Sequence, residues 1–420
     1  MIDLDQHVAE ARARYSRAHP RSAEWFGRAS AVMPSGNTRS VLHFDPFPMR
    51  IVQAEGRYLH DVEGHRYVDL LGNYTAGLFG HSNLEIAAAV HKAIDRGFTL
   101  GAPHEDEVLL AELLVGRFPS IEKVRFTNSG TEANLMALAT ALHVTGRDGV
   151  LVFDGAYHGG VLTFGSTGRA VNVPHRWVMA RYNDLDSVES LVAADRRIGA
   201  IVVEPMQGSA GCIPADQEFI AGLRRVADEH DIVLIFDEVM TSRLGPAGLQ
   251  GEFGITPDMT TLGKYLAGGM SFGAFGGSSR SMMPFEPGGD LSHAGTFNNN
   301  VLSMAAGIAA NRDVLSDARL RELNARGDRL RTGLNRVFGE LDLCATGVGS
   351  IIGVHPVAGP VRSTADLVGG DERLRELWFF ASLEAGFYVA RRGFVALSIE
   401  IEDADVDRYL YAVDHWVSGL

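Results

Sequence analysis

Apolar residues along this chain follow three successive patterns, and each pattern indicates a different kind of structure. The first 31 residues have helix-like spacing, which ends at the turn residues 34–37 (Pro-Ser-Gly-Asn). Short apolar segments follow, separated by Glu-Gly turns at residues 55–56 and 63–64. This pattern predicts a small antiparallel meander with strands at residues 50–52, 58–60 and 67–70.

The second pattern covers residues 84–311, where apolar strands alternate with helical stretches. The predicted strands include residues 124–127, 150–153, 200–203 and 233–236, and the predicted helices include residues 131–142 and 218–229. Strands that are apolar along their whole length, each followed by an amphipathic helix, indicate a parallel or mostly parallel sheet covered on both faces. We therefore expect a large α/β domain here.

The third pattern begins after residue 311, where long helical segments dominate. Strands are predicted at residues 346–354, 386–389 and 394–398, before a final helix at residues 403–417. A smaller α+β domain at 312–420 is expected, joined in space by the N-terminal segment 1–83. The length of 420 residues agrees with two or three packed units, because one domain usually has about 100–200 residues.

Composition and charge exclude several classes of function. Asp and Glu number 52 against 38 Lys and Arg, and the net charge of −14 argues against nucleic-acid binding. No apolar run approaches the roughly 18 residues of a membrane span, and the N-terminus lacks the apolar core of a secretion signal. Cys212 and Cys344 lie far apart and are predicted to be inert thiols. A cytoplasmic protein is expected.

Ligands of open α/β sheets bind at the carboxyl ends of the strands, and two such strand ends carry small and aromatic residues. Ser129, Gly130 and Thr131 stand where a strand passes into a helix, and free amides at a helix start suit a phosphate. An ordinary helix cap has the same appearance. Tyr157 and His158 stand among glycines after the next strand, either as site residues or as a structural pair.

Two further strand ends carry charged residues. Asp237 follows a buried strand and needs a cationic or hydrogen-bonding partner, as a site residue, a helix cap or an ion pair. Lys264 also follows a strand, where a solvated surface lysine is the alternative. Pyridoxal phosphate requires a phosphate cradle, a stacking aromatic ring, a carboxylate for its ring nitrogen and a lysine that forms an imine. The four strand ends together supply this set.

The segments that carry these residues resemble the class III pyridoxal-phosphate-dependent aminotransferases of fold type I. The similar segments are residues 128–133, 157–159, 204–208, 236–239 and 262–264, and the resemblance extends over essentially the whole chain. Within this family, the chain most resembles the β-phenylalanine aminotransferases, in residues 35–42, 236–244, 295–300 and 392–395. The resemblance implies a homodimer with active sites at the subunit interface.

The resemblance also implies roles for single residues. Lys264 is the Schiff-base residue, and Asp237 is the partner of the pyridine nitrogen. The implied cofactor contacts are Ser129, Gly130 and Thr131 at the phosphate, Tyr157 and Val239 on the two ring faces, and Thr296 at the phosphate of the neighbouring subunit. His158 and Glu204 are also implied as cofactor-binding residues. Arg39 and Arg392 are implied as receptors for substrate carboxylates, and Arg391 shares the second motif.

Two positions depart from related aminotransferases. Ornithine- and γ-aminobutyrate-type members carry glutamate where this chain has Ser209, and glutamine where it has Met240. The expected activity is the transfer of an amino group from a β-amino acid, aromatic in the first instance, to a 2-oxo acid such as 2-oxoglutarate or pyruvate. The alternative is an intramolecular aminomutase of the glutamate-1-semialdehyde type, or a racemase, on the same fold.

Two further possibilities are disfavoured by the residues present. A non-catalytic binding protein does not need both Lys264 and Asp237. The acidic segment at residues 104–107 lacks the spacing of a zinc-binding helix and is typical of a helix start, so no metal site is predicted.

Overall fold

The computed structural model describes residues 3–165, 171–339 and 341–420. It begins with two helices, α1 (Leu4–Ala18) and α2 (Pro20–Ser30). The helix-like pattern predicted to about residue 31 forms two helices rather than one. Pro20 occupies the first turn of α2, where its missing N–H needs no acceptor, so the chain breaks at His19 and a new helix begins.

The predicted meander is confirmed. Its strands are β1 (Ile51–Glu55), β2 (Tyr58–Asp61) and β3 (Arg66–Asp69), and both pairings are antiparallel. Each observed strand lies within three residues of its predicted bounds.

The central part of the chain forms a seven-stranded sheet with helices. Its elements are α3 (Leu84–Arg96), α4 (Glu105–Arg117), β4 (Lys123–Thr127), α5 (Gly130–Thr145), β5 (Gly149–Phe153), β6 (Arg176–Ala180), α6 (Leu185–Ala194), β7 (Ile198–Val203), β8 (Met206–Gln207), β9 (Ile213–Pro214), α7 (Gln217–His230), β10 (Val233–Asp237), α8 (Gly248–Phe253), β11 (Met259–Gly263), β12 (Gly273–Gly277), α9 (Ser279–Met282) and α10 (Val301–Ile308).

The strand order in the large sheet is β4-β12-β11-β10-β7-β5-β6. All pairings are parallel except those of β12, which runs antiparallel to both of its neighbours. Strands β5, β7, β10 and β11 are buried at every position, which explains their continuous apolar sequences. The prediction of a mostly parallel α/β sheet is confirmed.

The C-terminal part contains a second, smaller sheet. Its elements are α11 (Asp317–Phe338), β13 (Cys344–Val348), β14 (Ile351–His355), α12 (Glu372–Glu384), β15 (Phe387–Tyr388), β16 (Phe394–Ala396) and α13 (Asp403–Ser418). The strand predicted at 346–354 is wrong as a single element, because Gly349 adopts φ 52° and turns the chain into the antiparallel hairpin β13–β14. Strand β15 pairs in parallel with β3 and links the two ends of the chain.

The division into segments 1–83, 84–311 and 312–420 stays a prediction. Helix α10 continues as a π-helical turn to Val314, so we propose that the second boundary follows that residue. Both cysteine thiols are free and buried, and burial raises the pKa of each, as expected for inert thiols. Across the described residues, every helix is too short or too polar to cross a membrane.

Candidate active site

The predicted phosphate cradle lies where β4 passes into α5. Ser129 caps the helix, and its hydroxyl accepts the amide of Glu132 at 3.2 Å. The first amides of a helix have no intrahelical acceptor, so those of Gly130 and Thr131 are available to an anion. A Cβ at position 130 would stand 2.9 Å from the side chain of Val239, so only glycine allows this close approach. The helix start is thus shaped to receive a small anion.

The carboxylate of Asp237 is fixed at the end of β10. Its Oδ2 accepts His158 Nδ1 and Asn134 Nδ2, both at 2.8 Å, and its Oδ1 accepts the amide of Val239 at 3.1 Å. Burial lowers the pKa of His158, but the hydrogen bond and charge of Asp237 outweigh it, and the net pKa is raised. A carboxylate has about four lone-pair sites, so one remains for a ring nitrogen.

Behind Asp237 lies a polar contact that the sequence analysis missed. Thr261 on β11 donates its hydroxyl to Asn134 Oδ1 at 2.7 Å, which orients the Asn134 amide so that Nδ2 faces Asp237. Both residues are buried. The available signal was a polar side chain on an otherwise apolar helix face and another on a buried strand.

Lys264 follows β11 in a strained backbone conformation. Its φ is +56°, in the left-handed region that favours glycine. The pKa of its ammonium is lowered to about 8, because burial and the charges of Arg392 and Arg39 outweigh the opposing charges of Asp237 and Glu204. An amine with this pKa is partly uncharged near neutral pH, as a nucleophile or base requires.

Glu204 connects two loops of the site. One carboxylate oxygen accepts the amide of Tyr157 and the other accepts the amide of Gly208, both at 2.9 Å. Burial raises the pKa of Glu204 to about 7. The Tyr157 ring is 43% exposed, which leaves a face open for stacking.

Nine of the predicted site residues line one cavity of about 330 Å³. They are Ser129, Gly130, Thr131, Tyr157, His158, Glu204, Asp237, Val239 and Lys264. The cavity is also lined by residues that sequence reasoning missed, namely Asn73, Ala76, Asn134 and residues 269–272. Met240, which the sequence analysis noted as a departure from related aminotransferases, lines it too. The cavity lies at the carboxyl ends of β4, β10 and β11, where an open α/β sheet binds its ligands.

Thr296 does not line this cavity of its own chain, and its side chain is exposed. Asn298 in the same loop accepts a hydrogen bond from Asn128 Nδ2 at 3.0 Å, next to the phosphate cradle. The role of Thr296 towards a neighbouring subunit stays a prediction.

The two arginines predicted to bind carboxylates lie against one aromatic ring. Arg39 Cζ and Arg392 Cζ are 5.5 and 5.6 Å from the centroid of Tyr74. Arg39 Nη1 donates to Asn73 Oδ1 at 2.7 Å, and Asn73 lines the cavity. Arg391 is engaged elsewhere, since its Nη2 lies 2.7 Å from Glu376. Of the adjacent pair, Arg392 is therefore the one directed at the Tyr74 ring.

Comparisons with known proteins agree with this geometry. The aminotransferase class-III family model matches residues 42–357. A β-phenylalanine transaminase from Variovorax paradoxus is 46% identical over 420 residues, which cover 99% of this chain and 97% of that protein. A glutamate-1-semialdehyde 2,1-aminomutase from Nitratidesulfovibrio vulgaris is 37% identical over 92% of this chain and 96% of that protein.

Solved structures give the same result. The structure of a β-phenylalanine aminotransferase from Variovorax paradoxus matches with a TM-score of 0.97 at 46% identity, over 99% of this chain and 98% of that chain. An ω-transaminase from Sphaerobacter thermophilus matches with a TM-score of 0.89 at 33% identity, over 94% and 97% of the two chains. The chain therefore belongs to the class III aminotransferases, which are pyridoxal-phosphate-dependent enzymes of fold type I.

Proposed function

We propose that this aminotransferase moves the amino group of an aromatic β-amino acid, such as β-phenylalanine, to a 2-oxo acid such as 2-oxoglutarate or pyruvate. The observation that carries the proposal is the pair of arginines on Tyr74 beside the cofactor cavity. An aromatic β-amino acid presents one carboxylate and one ring, and this corner offers guanidinium groups and an aromatic face. The β-phenylalanine transaminase of Variovorax paradoxus supports the same choice of donor.

The residues present fit pyridoxal phosphate. Gly130 allows Val239 to pack directly against the start of α5, and the first amides of this helix have no intrahelical acceptor and suit a phosphate. Within the described part of the chain, the buried His158 Nε2 has no hydrogen-bond partner, while Nδ1 is held by Asp237, and both residues line the cavity. Ser129, Gly130 and Thr131 would hold the phosphate, Tyr157 and Val239 the ring faces, and Asp237 the ring nitrogen.

When bound, pyridoxal phosphate supplies an electron sink for the electron pair released as a proton leaves the amine-bearing carbon of the substrate. Lys264 Nζ is the attachment point of the cofactor and the base that takes this proton. For a β-amino acid that carbon is Cβ, so the donor leaves as a 3-oxo acid and the acceptor gains the amine. Asp237, fixed by three donors, would be the partner of the ring nitrogen.

We further propose that the enzyme acts as a homodimer in which Thr296 reaches the phosphate site of the partner subunit. The exposed position of Thr296, in a loop attached to Asn128, supports this arrangement. A cytoplasmic location is also proposed, supported by the two free, buried cysteines.

A substrate panel tests the proposed function. β-Phenylalanine, α-phenylalanine, an ω-amino acid and glutamate-1-semialdehyde are each offered with 2-oxoglutarate, with pyruvate and without an acceptor. We expect the highest turnover with β-phenylalanine, and only when an acceptor is present. Conversion of glutamate-1-semialdehyde without an acceptor, at a higher rate than β-phenylalanine with one, would identify an aminomutase instead.

A further inference from the structure

A second cluster of polar side chains lies outside the cavity of the cofactor. His19 stands between α1 and α2, Asp61 ends β2, His65 lies in the following turn, and Tyr67 is on β3. Asp61 Oδ2 is 2.9 Å from His65 Nδ1 and 3.5 Å from His19 Nε2. One ligand atom from each of His19, Asp61 and His65 lies within 4.8 Å of the other two. Three elements thus bring two imidazoles and a carboxylate together.

The hydrogen bonds of His19 leave a lone pair directed into this cluster. Its Nδ1 lies 2.8 Å from the carbonyl oxygen of Tyr15, which accepts but cannot donate, so Nδ1 carries the proton. Nε2 is the ring nitrogen that faces Asp61 and Tyr67, and in the neutral form of the ring it carries the lone pair. The Tyr67 hydroxyl, 3.0 Å from His19 Nε2 and 3.3 Å from Asp61 Oδ2, has one proton for these two acceptors.

The two inner ligands are held from behind. Asp61 Oδ1 accepts the amides of Gly64 and His65, both at 2.8 Å, which leaves Oδ2 facing the imidazoles. The His19 ring stacks on Tyr15 with centroids 4.1 Å apart. Metal-binding histidines usually donate their other ring N–H to a carbonyl or carboxylate, and ligating carboxylates are themselves hydrogen-bonded. His19 and Asp61 have these supporting contacts in place.

We propose that His19, Asp61 and His65 form a binding site for a divalent transition metal, Zn²⁺ in the first instance. Zinc ligands at about 2.0–2.1 Å in tetrahedral geometry lie about 3.3 Å from one another. The distances of 2.9 and 3.5 Å around Asp61 Oδ2 bracket this value. The ligand atoms of His19 and His65 lie within 4.8 Å of each other, so a tetrahedral site requires them to approach to about 3.3 Å. The side chain of His65 is 44% exposed in a turn and can make this movement.

The surroundings provide an access path and a fourth ligand position. A cavity of about 460 Å³, separate from the cofactor cavity, is lined by His19, His65 and Tyr67. It has room for a water on the metal, and the Tyr67 hydroxyl is placed to hydrogen-bond that water. Two imidazole ligands favour Zn²⁺ over Mg²⁺, which prefers oxygen. A bound ion would tie the α1–α2 junction to the turn between β2 and β3.

Metal binding is measured on the cofactor-loaded enzyme without an affinity tag, by equilibrium dialysis against buffered free Zn²⁺. The test variant is His65→Ala, because His65 is at the surface and its removal should not disturb folding. The matched control is His60→Ala, since His60 on β2 lies 3.6 Å from a carboxylate of Glu55 but belongs to no cluster of three ligands among the residues that the structure describes. Zinc held by cofactor phosphate is common to all the proteins and cancels in the comparison.

We expect the wild type and His60→Ala to bind one more Zn²⁺ per chain than His65→Ala, whose affinity at this site should fall at least about tenfold. Co²⁺ should bind in its place with the strong visible bands of a four-coordinate ion, at longer wavelengths than the cofactor absorbs. Equal zinc binding by wild type and His65→Ala overturns the proposal, because His19, Asp61 and His65 then form only a hydrogen-bonded cluster. Six-coordinate cobalt spectra, or a preference for Mg²⁺, also overturn it.

Discussion

Arg392 is lightly held, and replacing it by alanine should separate the two acceptors. Its Nη2 donates one long hydrogen bond of 3.3 Å to the carbonyl of Ser209, and its guanidinium lies against Tyr74. Its neighbour Arg391 lies 2.7 Å from Glu376. The two arginines are adjacent in sequence but differ in what holds them, so Arg391→Ala is a matched control.

The energies favour movement of Arg392 towards a carboxylate. The hydrogen bond from the charged guanidinium to the Ser209 carbonyl is 3.3 Å long, beyond the roughly 2.7–3.2 Å of ordinary N–H···O bonds, so it contributes only about 0.5 kcal/mol. An exposed cation–π contact adds about 0.5–1 kcal/mol. Charge-assisted bonds to a carboxylate contribute about 1.5–3 kcal/mol, which offsets the loss of these contacts. With about 1 kcal/mol of lost contacts subtracted, a net gain of about 0.5–2 kcal/mol remains, so removal of the guanidinium should weaken binding of a dicarboxylate by about 2–30-fold.

Half-reaction titrations followed by cofactor absorbance measure this difference. Arg392→Ala should lose the stated affinity for 2-oxoglutarate, bind pyruvate almost as well as the wild type, and largely keep β-phenylalanine. Arg39→Ala should weaken both half-reactions, whereas Arg391→Ala should change neither. Equal losses for 2-oxoglutarate and pyruvate in Arg392→Ala, or the same loss in Arg391→Ala, would refute the reasoning.

Three further predictions concern the residues beside the cofactor. Asp237→Asn should bind cofactor but lower kcat on the order of 10²–10³-fold, because the charge facing the ring nitrogen is lost; unchanged kcat would contradict this role. Lys264→Ala should prevent borohydride from fixing the cofactor to the chain. Mass spectrometry of the reduced protein measures this, and a chain that carries the added mass of the cofactor would contradict the role of Lys264. In the cofactor-free protein, the pKa of Glu204 is raised to about 7 in the folded state, so folding stability should fall as pH rises from about 4.5 to 7. Urea titrations of wild type and Glu204→Gln should show this slope only in the wild type.

The fold could largely be predicted because the apolar or polar character of each strand position follows from whether that position is buried. Strands such as β7 and β10 are buried on both faces, so their apolar sequences identify a parallel sheet without any knowledge of their partners. The hairpin β13–β14 was missed because residues 346–354 were assigned to one strand, although Gly349, with φ 52°, and Ser350 form a two-residue turn between β13 and β14. Periodicity does not register such a turn.

The candidate site could be predicted only where chemistry is visible at one position. Asp237 and Lys264 carry reactive groups directly after strands, whereas Asn134 and Thr261 are ordinary polar residues that matter through a contact between a helix and a distant strand. The cluster of His19, Asp61 and His65 could not be predicted for the same reason, because its residues come from the end of a helix, the end of a strand and a turn. Sequence spacing does not encode such distances.

Among the described residues, four of the nine non-glycine positions with positive φ lie in two segments near the cofactor cavity. Lys264 has φ +56°, and residues 72–75 have four consecutive positive φ values of 51°, 45°, 54° and 78°. Such conformations at non-glycine positions cost about 1–3 kcal/mol each and persist only where the surroundings enforce them. Asp69 Oδ1 accepts the amide of Gly72, the first residue of the second segment, and the amide of Leu71 directly before it. Because this turn carries Tyr74, against which both arginines lie, relaxing it should displace the carboxylate receptors while leaving the carboxylate that faces the ring nitrogen in place.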